Sequence, residues 1–391
     1  MRTRSFINLY HLFLCAFCLM MGSSYAHASW NITTEAKSAI LIEASTGDIL
    51  FEKNSDQPIP PASMSKLMTI YIAMEKLKEG SLKLEDDIIV SEQAWRNWRL
   101  RGSTMFLKSG DRVSVEQLLK GIIVQSGNDA CVVLAEGLAG SEENFVTWMN
   151  EKAAELGLNE SQFANSTGWP HDDQRMSARD IARLSQIMIE RFPEYYAYFK
   201  EKEFTYNNIR QTNRNPILYT MRDADGLKTG HTEEAGYGLA SSAIRDDRRL
   251  ILVVSGLKSN RARGRESARL LEYGFRNFDV YPLFSKGETV GEATVWLGQK
   301  ETIPLIVNED VVLSLSKQAR QKMTVKIVYD GPIAAPIRQG QPIAHIEITS
   351  KEMTPIHIPL VAAENAEKIS GISRLKAAFN FFLWGASGDV Q

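Results

Sequence analysis

Two short apolar runs at residues 38–44 and 49–53 flank the turn signal Ser45-Thr46-Gly47-Asp48, a pattern that predicts an N-terminal β-hairpin. The period then changes. Pro60-Pro61 stops the preceding segment and pre-sets the backbone for a helix, and Leu67, Ile70, Tyr71, Met74 and Leu77 follow at helical spacing with no Gly or Pro before Gly80. Val115, Leu118, Leu119 and Ile122 repeat that period within residues 113–124, and residues 142–156 and 178–191 predict two more helices, the second capped by Ser177. Residues 237–244 and 248–256 read as strands joined by Arg245-Asp246-Asp247. Lys228-Thr229-Gly230 begins one edge of the same antiparallel sheet, and a helix at 266–278 closes this part. N-terminal strands, a helical middle and C-terminal strands imply one mixed sheet with helices around it, an α+β architecture.

Past Tyr281-Pro282 the pattern becomes short strands at residues 294–297, 302–307, 311–315, 324–329, 343–349 and 356–361, which predict a small β-sandwich domain. The tail differs again. Ile369, Ile372, Leu375, Phe379, Phe382 and Leu383 form one helical stripe, with Lys368, Arg374 and Lys376 beside it and Trp384 at its end. That composition predicts an amphipathic helix at 366–391 lying on an anionic membrane surface, the alternative being a last helix packed on the sandwich.

Length and composition sharpen this outline. A chain of 391 residues with 44% hydrophobic residues has material for two cored domains, and a net charge of −2 from well-mixed charges argues against a nucleic-acid binder. Arg2 and Arg4, the apolar run at 12–21 and Ala26-His27-Ala28 predict an export signal cleaved after Ala28, too short in its apolar part for a membrane span. The expected division is a signal at 1–28, a first domain at 29–280, the sandwich at 281–365 and the tail helix at 366–391. Cys15 and Cys18 leave with the signal, so the lone Cys131, inside an apolar run, reads as a core filler. His171, His231, His345 and His357 lack metal-ligand spacing and no phosphate-cradling glycine loop is present, so neither metal nor cofactor is expected.

Chemistry enters at the first helix. Ser63 and Lys66, three apart, share a face; a lysine kept neutral by burial can take the serine proton while the helix N-terminus favours the developing charge. The spacing alone proves nothing. It recurs at Ser255 and Lys258, Ser314 and Lys317, and Ser373 and Lys376, where a surface helix or strand end suffices. Two later clusters discriminate: Ser126-Gly127-Asn128, on its own an ordinary interhelical turn, and Lys228-Thr229-Gly230. Lys108-Ser109-Gly110 also fits the third cluster but precedes the second, so only the set beginning at Ser63 keeps the order.

In that order the clusters resemble the serine penicillin-recognising enzymes, and most closely the low-molecular-mass D-alanyl-D-alanine carboxypeptidases that carry an added β-domain. The similarity extends to Met105-Phe106-Leu107, the loop at 163–170, Asn213-Arg214-Asn215, His231-Thr232 and Gly264-Arg265-Glu266; Trp169, where the family more often has Leu, and Pro216 depart from it. The resemblance implies that Ser63 attacks the D-Ala-D-Ala carbonyl, Lys66 is its general base, and Ser126 with Lys228 passes a proton to the leaving D-alanine. It further implies that Asn128 holds the substrate amide, that the backbone N–H groups of Ser63 and His231 form the oxyanion hole, and that Thr229 and Gly230 line the same edge. Arg265, with Arg214 as a second candidate, would bind the terminal carboxylate. The implied partners are the peptidoglycan pentapeptide stem and β-lactams, which acylate Ser63 because their strained amide imitates the substrate. The implied location is the periplasm, at the outer face of the inner membrane.

Three rivals stay open on sequence grounds. Glu155-Leu156-Gly157-Leu158-Asn159 matches the deacylating motif of a class A β-lactamase, although Gly157 suits a helix C-cap and the β-domain has no role there. The same site could act as an endopeptidase on peptide crosslinks. A wall-binding protein that becomes acylated without turnover is the third.

Overall fold

The computed structural model describes residues 32–350, 353–369 and 371, so the expected export signal and nearly all of the expected tail helix lie outside the described residues. The first domain is built on a five-stranded antiparallel sheet of β1 (Ser38–Glu43), β2 (Ile49–Lys53), β3 (Ala224–Thr232), β4 (Gly236–Arg245) and β5 (Arg248–Leu257). Their spatial order is β2-β1-β5-β4-β3, so the N-terminal hairpin joins the C-terminal strands through β1 and β5, with Leu41 opposite Leu252. Every residue of β1 is buried, which means both faces are covered.

The period of two assigns the faces. Ile40, Ile42, Ile251 and Val253 point into the larger core, with α1 (Lys66–Lys78), α2 (Asn128–Ala139), α3 (Glu142–Glu155) and α4 (Ala178–Arg191). Ala39, Leu41, Leu250, Leu252 and Val254 point the other way, against α5 (Asn260–Asn277). Each buried Leu or Ile contributes about 2 kcal/mol of apolar transfer. β3 ends the sheet as an edge strand and carries Lys228, Thr229 and Gly230.

Two elements differ from expectation. The helix expected at 113–124 runs only over Val115–Lys120 before widening into a π-turn at Gly121–Gln125, which delivers Ser126 in left-handed backbone, φ 66°. The helix expected at 266–278 begins a turn and a half earlier, at Asn260, with Ser259 as its N-cap accepting from Ala262 N. Gly264 lies inside this helix, where a Cβ would come within 3.1 Å of Pro216.

In the second domain Phe278–Phe284 pairs with Val311–Ser316, and six further strands form a sheet in the order Thr324–Val328, Pro342–Ser350, Met353–Ala362, Thr302–Val307, Thr289–Trp296, Ile333–Ala334. Ile303, Leu305, Ile346, Ile348 and Leu360 from the larger sheet share a core with Val311 and Leu315 from the smaller. The expected tail helix cannot start at Ala366: Ala366 bridges Ile337, Lys368 bridges Gly298, and Ile369 N donates to Leu297 O, all in extended backbone.

Polar groups at the end of the first sheet tie the domains together. Asp48 Oδ2 accepts from Ser314 N at 2.7 Å, and Thr46 and Ser314 hydroxyls lie 2.7 Å apart. Arg248 Nε donates to fully buried Glu43 at 2.6 Å, and its Nη1 donates to Phe278 O, the first residue of the second domain's strands. Burial raises the Glu43 pKa despite the lowering by Arg248. Arg248→Met should therefore cost about 3–5 kcal/mol at neutral pH by stranding that carboxylate. The deficit should shrink as pH falls below neutral, since the raised pKa lets Glu43 be buried uncharged. Thermal unfolding midpoints across that range check this; a deficit independent of pH would contradict it.

Candidate active site

Ser63 sits in a 3-10 turn, Ala62–Ser65, and Lys66 is the first residue of α1. In a 3-10 turn, side chains three apart eclipse one another, so Lys66 Nζ falls directly against Ser63 Oγ, at 2.9 Å. The turn is entered through Ala62 in left-handed backbone, φ 49°. Ser63 stays half-buried while Lys66 is fully buried.

Lys66 spends its other contacts on two distant segments. It donates to Asn128 Oδ1 at 2.7 Å, at the start of α2, and to Thr167 O at 2.5 Å. The Thr167 carbonyl is held by a loop bonded to itself: Asn165 Oδ1 accepts from Thr167 N and Trp169 N, and Gln174 Oε1 accepts from Ala164 N and Asn165 N. Gly168 there has φ +75°, and a Cβ would come within 2.0 Å of Ala62 O, so only glycine lets this loop meet the Ser63 turn.

The third segment is the β3 edge. Lys228 Nζ donates to Ser126 Oγ at 2.9 Å, joining the second and third clusters. A Cβ on Gly230 would lie 2.8 Å from Pro61 O and 3.2 Å from Met64 Cγ, so the glycine brings the strand against the nucleophile turn. Thr229 is buried on this edge, and His231, exposed at its end, stacks on Tyr237 with ring centroids 3.9 Å apart.

Burial sets the charge state of both lysines. It lowers the Lys66 pKa to about 8, with the Arg214 charge adding to the effect and Asp129 opposing it. Lys228 is lowered well below its ordinary value by burial first, then by Lys66 and Arg214. Cys131 is buried and its thiol pushed up to about 12, which leaves it inert as a nucleophile, as its apolar run predicts.

The arginines divide differently from the sequence expectation. Arg214 is exposed at the cleft, Nη1 bonded to Ser103 Oγ at 2.5 Å. Arg265 is not at the cleft: its side chain is 56% exposed and paired with Glu35 at 3.3 Å. Arg263, two residues earlier and so on the opposite face of α5, is the one that reaches the β3 edge. It donates to Gly230 O at 3.3 Å and Gly238 O at 3.2 Å. It is buried, it makes no ion pair among the described residues, and burial lowers its pKa to about 10. The missed signal was helix phase. With Ser259 as N-cap, Ala262, Glu266, Leu270 and Phe275 mark the buried stripe, and Arg263 lies on it. Thr167 was missed because a backbone carbonyl leaves no trace in side-chain pattern.

The β-lactamase-like motif is elsewhere. Glu155 is at the end of α3, paired with Lys152 at 2.6 Å, and Asn159 lines a cavity of about 820 Å³ that also takes in Asp48, Arg179 and Ser314 at the domain junction. Among the described residues no group of acidic, His and Cys side chains could hold a metal ion.

Comparison with known proteins agrees with this geometry. The profile of the D-alanyl-D-alanine carboxypeptidase family matches residues 24–259, and that of the penicillin-binding protein 5 C-terminal domain matches residues 278–368. D-alanyl-D-alanine carboxypeptidase DacC of Escherichia coli (strain K12) is 40% identical over 341 residues, spanning 86% of this chain and 85% of the relative. Among solved structures, the D-alanyl-D-alanine carboxypeptidase DacD from Francisella tularensis superposes with a TM-score of 0.79 at 31% identity, covering 87% of this chain and 95% of that one. Penicillin binding protein 5 from Haemophilus influenzae gives 0.74 at 34% identity, covering 87% and 99%. With a matching profile over more than half its length and the Ser63, Ser126 and Lys228 segments meeting in one cleft, the chain belongs to the D-alanyl-D-alanine carboxypeptidase family.

Proposed function

We propose that the protein removes the terminal D-alanine from peptidoglycan pentapeptide stems through an acyl-enzyme on Ser63, and that β-lactams acylate the same oxygen. The observation that carries this reading is the 2.9 Å contact between Ser63 Oγ and an amine with a pKa of about 8. At pH 7 about one Lys66 in ten is neutral, enough to act as general base. Neutral Lys66 takes the Ser63 proton as the oxygen attacks, and Ser63 N–H and His231 N–H stabilise the oxyanion. Ser126, bonded to Lys228, hands a proton to the departing D-alanine nitrogen. Water then attacks the ester carbonyl and releases the shortened stem. Asn128 orients the substrate amide beside the Thr229-Gly230 edge. Arg263, with Arg214, supplies the positive field for the terminal carboxylate, the role the family resemblance implied for Arg265.

The protein works at the outer face of the inner membrane after export. The division into signal, carboxypeptidase domain and sandwich supports this, with the membrane-binding tail beginning after residue 371 rather than at 366, since Ala366–Ile369 belongs to the sandwich.

Three outcomes test the reading. Wild-type protein should release free D-alanine from a pentapeptide, and Ser63→Ala should lower the rate by at least about a thousandfold; equal release by both would reject the assignment. Acylation by a fluorescent penicillin should rise with pH through about 8 as Lys66 loses its proton. Arg214→Gln should move that inflexion upward, because it removes a positive charge that favours the neutral amine; a flat profile would remove Lys66 as the base. Deleting residues 372–391 should free the protein from membranes and leave turnover of soluble peptides within about twofold. Membrane association that survives the deletion would refute the anchor.

A further inference from the structure

Beside Asn128 stands an aromatic group that the chemistry above does not use. Trp98, the last residue of the short helix Glu92–Trp98, is buried and meets Trp169 edge-on, with ring centroids 5.6 Å apart. The Arg101 guanidinium lies against both rings, 4.6 Å from the Trp169 centroid and 5.2 Å from that of Trp98. Arg101 is exposed and makes no ion pair among the described residues, so the two indoles are what hold its side chain. Leu, the residue that the family more often has at position 169, offers no such face to a cation.

The backbone beneath Arg101 is bound to the reacting groups. Arg101 O accepts from Asn128 Nδ2 at 3.2 Å, and Ser103 O accepts from Asn128 N at 2.7 Å. Between them Gly102 has φ +70°, and the loop lies flat against Asn128 and the Trp169 ring. A primary amide has one acceptor and two N–H donors. With one donor tied to Arg101 O, Asn128 Oδ1 is turned toward Lys66 Nζ, at 2.7 Å, and the second donor is left for substrate. Trp169 reaches Lys66 by a second route. Asn165 Oδ1 ties Trp169 N to the loop that presents Thr167 O, and Asn165 Nδ2 donates to Trp169 O. Gln174 holds the start of that loop with its Oε1 alone, its buried Nε2 having no partner among the described residues. Two of the three acceptors around the Lys66 amine therefore lead back to one indole.

We propose, resting on the carboxypeptidase reading, that Trp169 is a positioning residue: with Trp98 it clasps Arg101, and the clasp holds the loop at 99–104 on Asn128 and so fixes the amide that orients Lys66 and the substrate. No bond is made or broken at the clasp. Its release has two effects. The Asn128 amide is free to turn over and face Lys66 with a donor, and water enters beside an amine whose weak hold on its proton comes mainly from burial. The charged and titratable groups facing Lys66 are Asp129 and Cys131 from α2, Arg214, and Lys228 from β3, and replacing Trp169 alters none of their charges. Admitted water favours the ammonium, so the amine holds its proton to higher pH.

The test follows acylation of the full chain by a fluorescent penicillin across pH, with D-alanine release from a pentapeptide and the thermal midpoint measured on the same preparations. Trp169→Leu should move the inflexion upward by about one pH unit, which cuts the neutral fraction of Lys66, and with it the rate at pH 7, about tenfold. Trp169→Phe keeps a face for the cation and should stay within about threefold of wild type, with its inflexion unmoved. Arg101→Gln should behave as Trp169→Leu does, and Arg101→Lys as Trp169→Phe does. The double variant Trp169→Leu with Arg101→Gln should be no slower than the slower single variant, because either change alone opens the clasp. A lower thermal midpoint for Trp169→Leu with the inflexion and rate of wild type would reduce the indole to a packing group and overturn the proposal. So would losses that multiply in the double variant, or a Phe variant as slow as the Leu variant. The exposed Arg101 pair decides the matter if Trp169→Leu does not fold. Absence of D-alanine release by wild type would instead overturn the reading beneath it.

Discussion

The site depends on one buried amine. Lys66 has no contact with water, and its three donors meet Ser63 Oγ, Asn128 Oδ1 and Thr167 O, one from each of three segments far apart in the chain. Those acceptors favour the ammonium; burial first and then the Arg214 charge oppose it and win, leaving a pKa of about 8. The fold bears a cost for this. A lysine whose folded pKa lies that far below its free value destabilises the native state by about 3 kcal/mol at neutral pH. The sign follows from proton binding: the penalty is complete below about pH 8 and disappears as pH rises toward the unfolded value, because the unfolded chain binds the extra proton in that window.

The sheet and its cores exist in the form that tolerates such a group. Ile40 and Ile42 face one layer and Ala39 and Leu41 the other, so the central strands are anchored on both sides, while the edge strand stays open toward the cleft. The second lysine uses that edge. Lys228 is carried in on β3 and held by Ser126 from a π-turn, so the two amines approach from opposite walls and the Lys66 charge adds to the burial that lowers Lys228's affinity for a proton. The Ser45–Asp48 turn binds Ser314 at the other end of the sheet, and the two domains are joined there rather than at the cleft.

Much of this was legible in the sequence because it lies in side-chain order. The hairpin, β4 and β5 followed from short apolar runs between turn residues, and the Ser63, Ser126 and Lys228 clusters from their order along the chain. What was not legible depends on packing or on backbone. The start of α5 was placed six residues late, and Arg265 was chosen from the family resemblance, whereas helix phase puts Arg263 on the buried face toward β3. The Thr167 carbonyl and the orphan Gln174 amide have no sequence signature, since a glutamine between charged residues reads as surface. The extended run Ala366–Ile369 was taken as helix because the apolar stripe continues through it, while partners on two other strands decide its conformation.

The glycines around the nucleophile have a consequence for how such a protein can change. Gly102 has Asn128 Nδ2 2.8 Å and Trp169 2.9 Å from where a Cβ would stand, Gly168 would strike Ala62 O and Gly230 would strike Pro61 O. At these three points neighbours leave no room for a side chain, so the cleft's chemistry is confined to the few side chains that reach it, Lys66, Ser126, Asn128 and Lys228. A substitution that adds even one methyl at any of the three would have to move the Ser63 turn, the Asn128 amide or the Trp169 ring before it could touch a substrate.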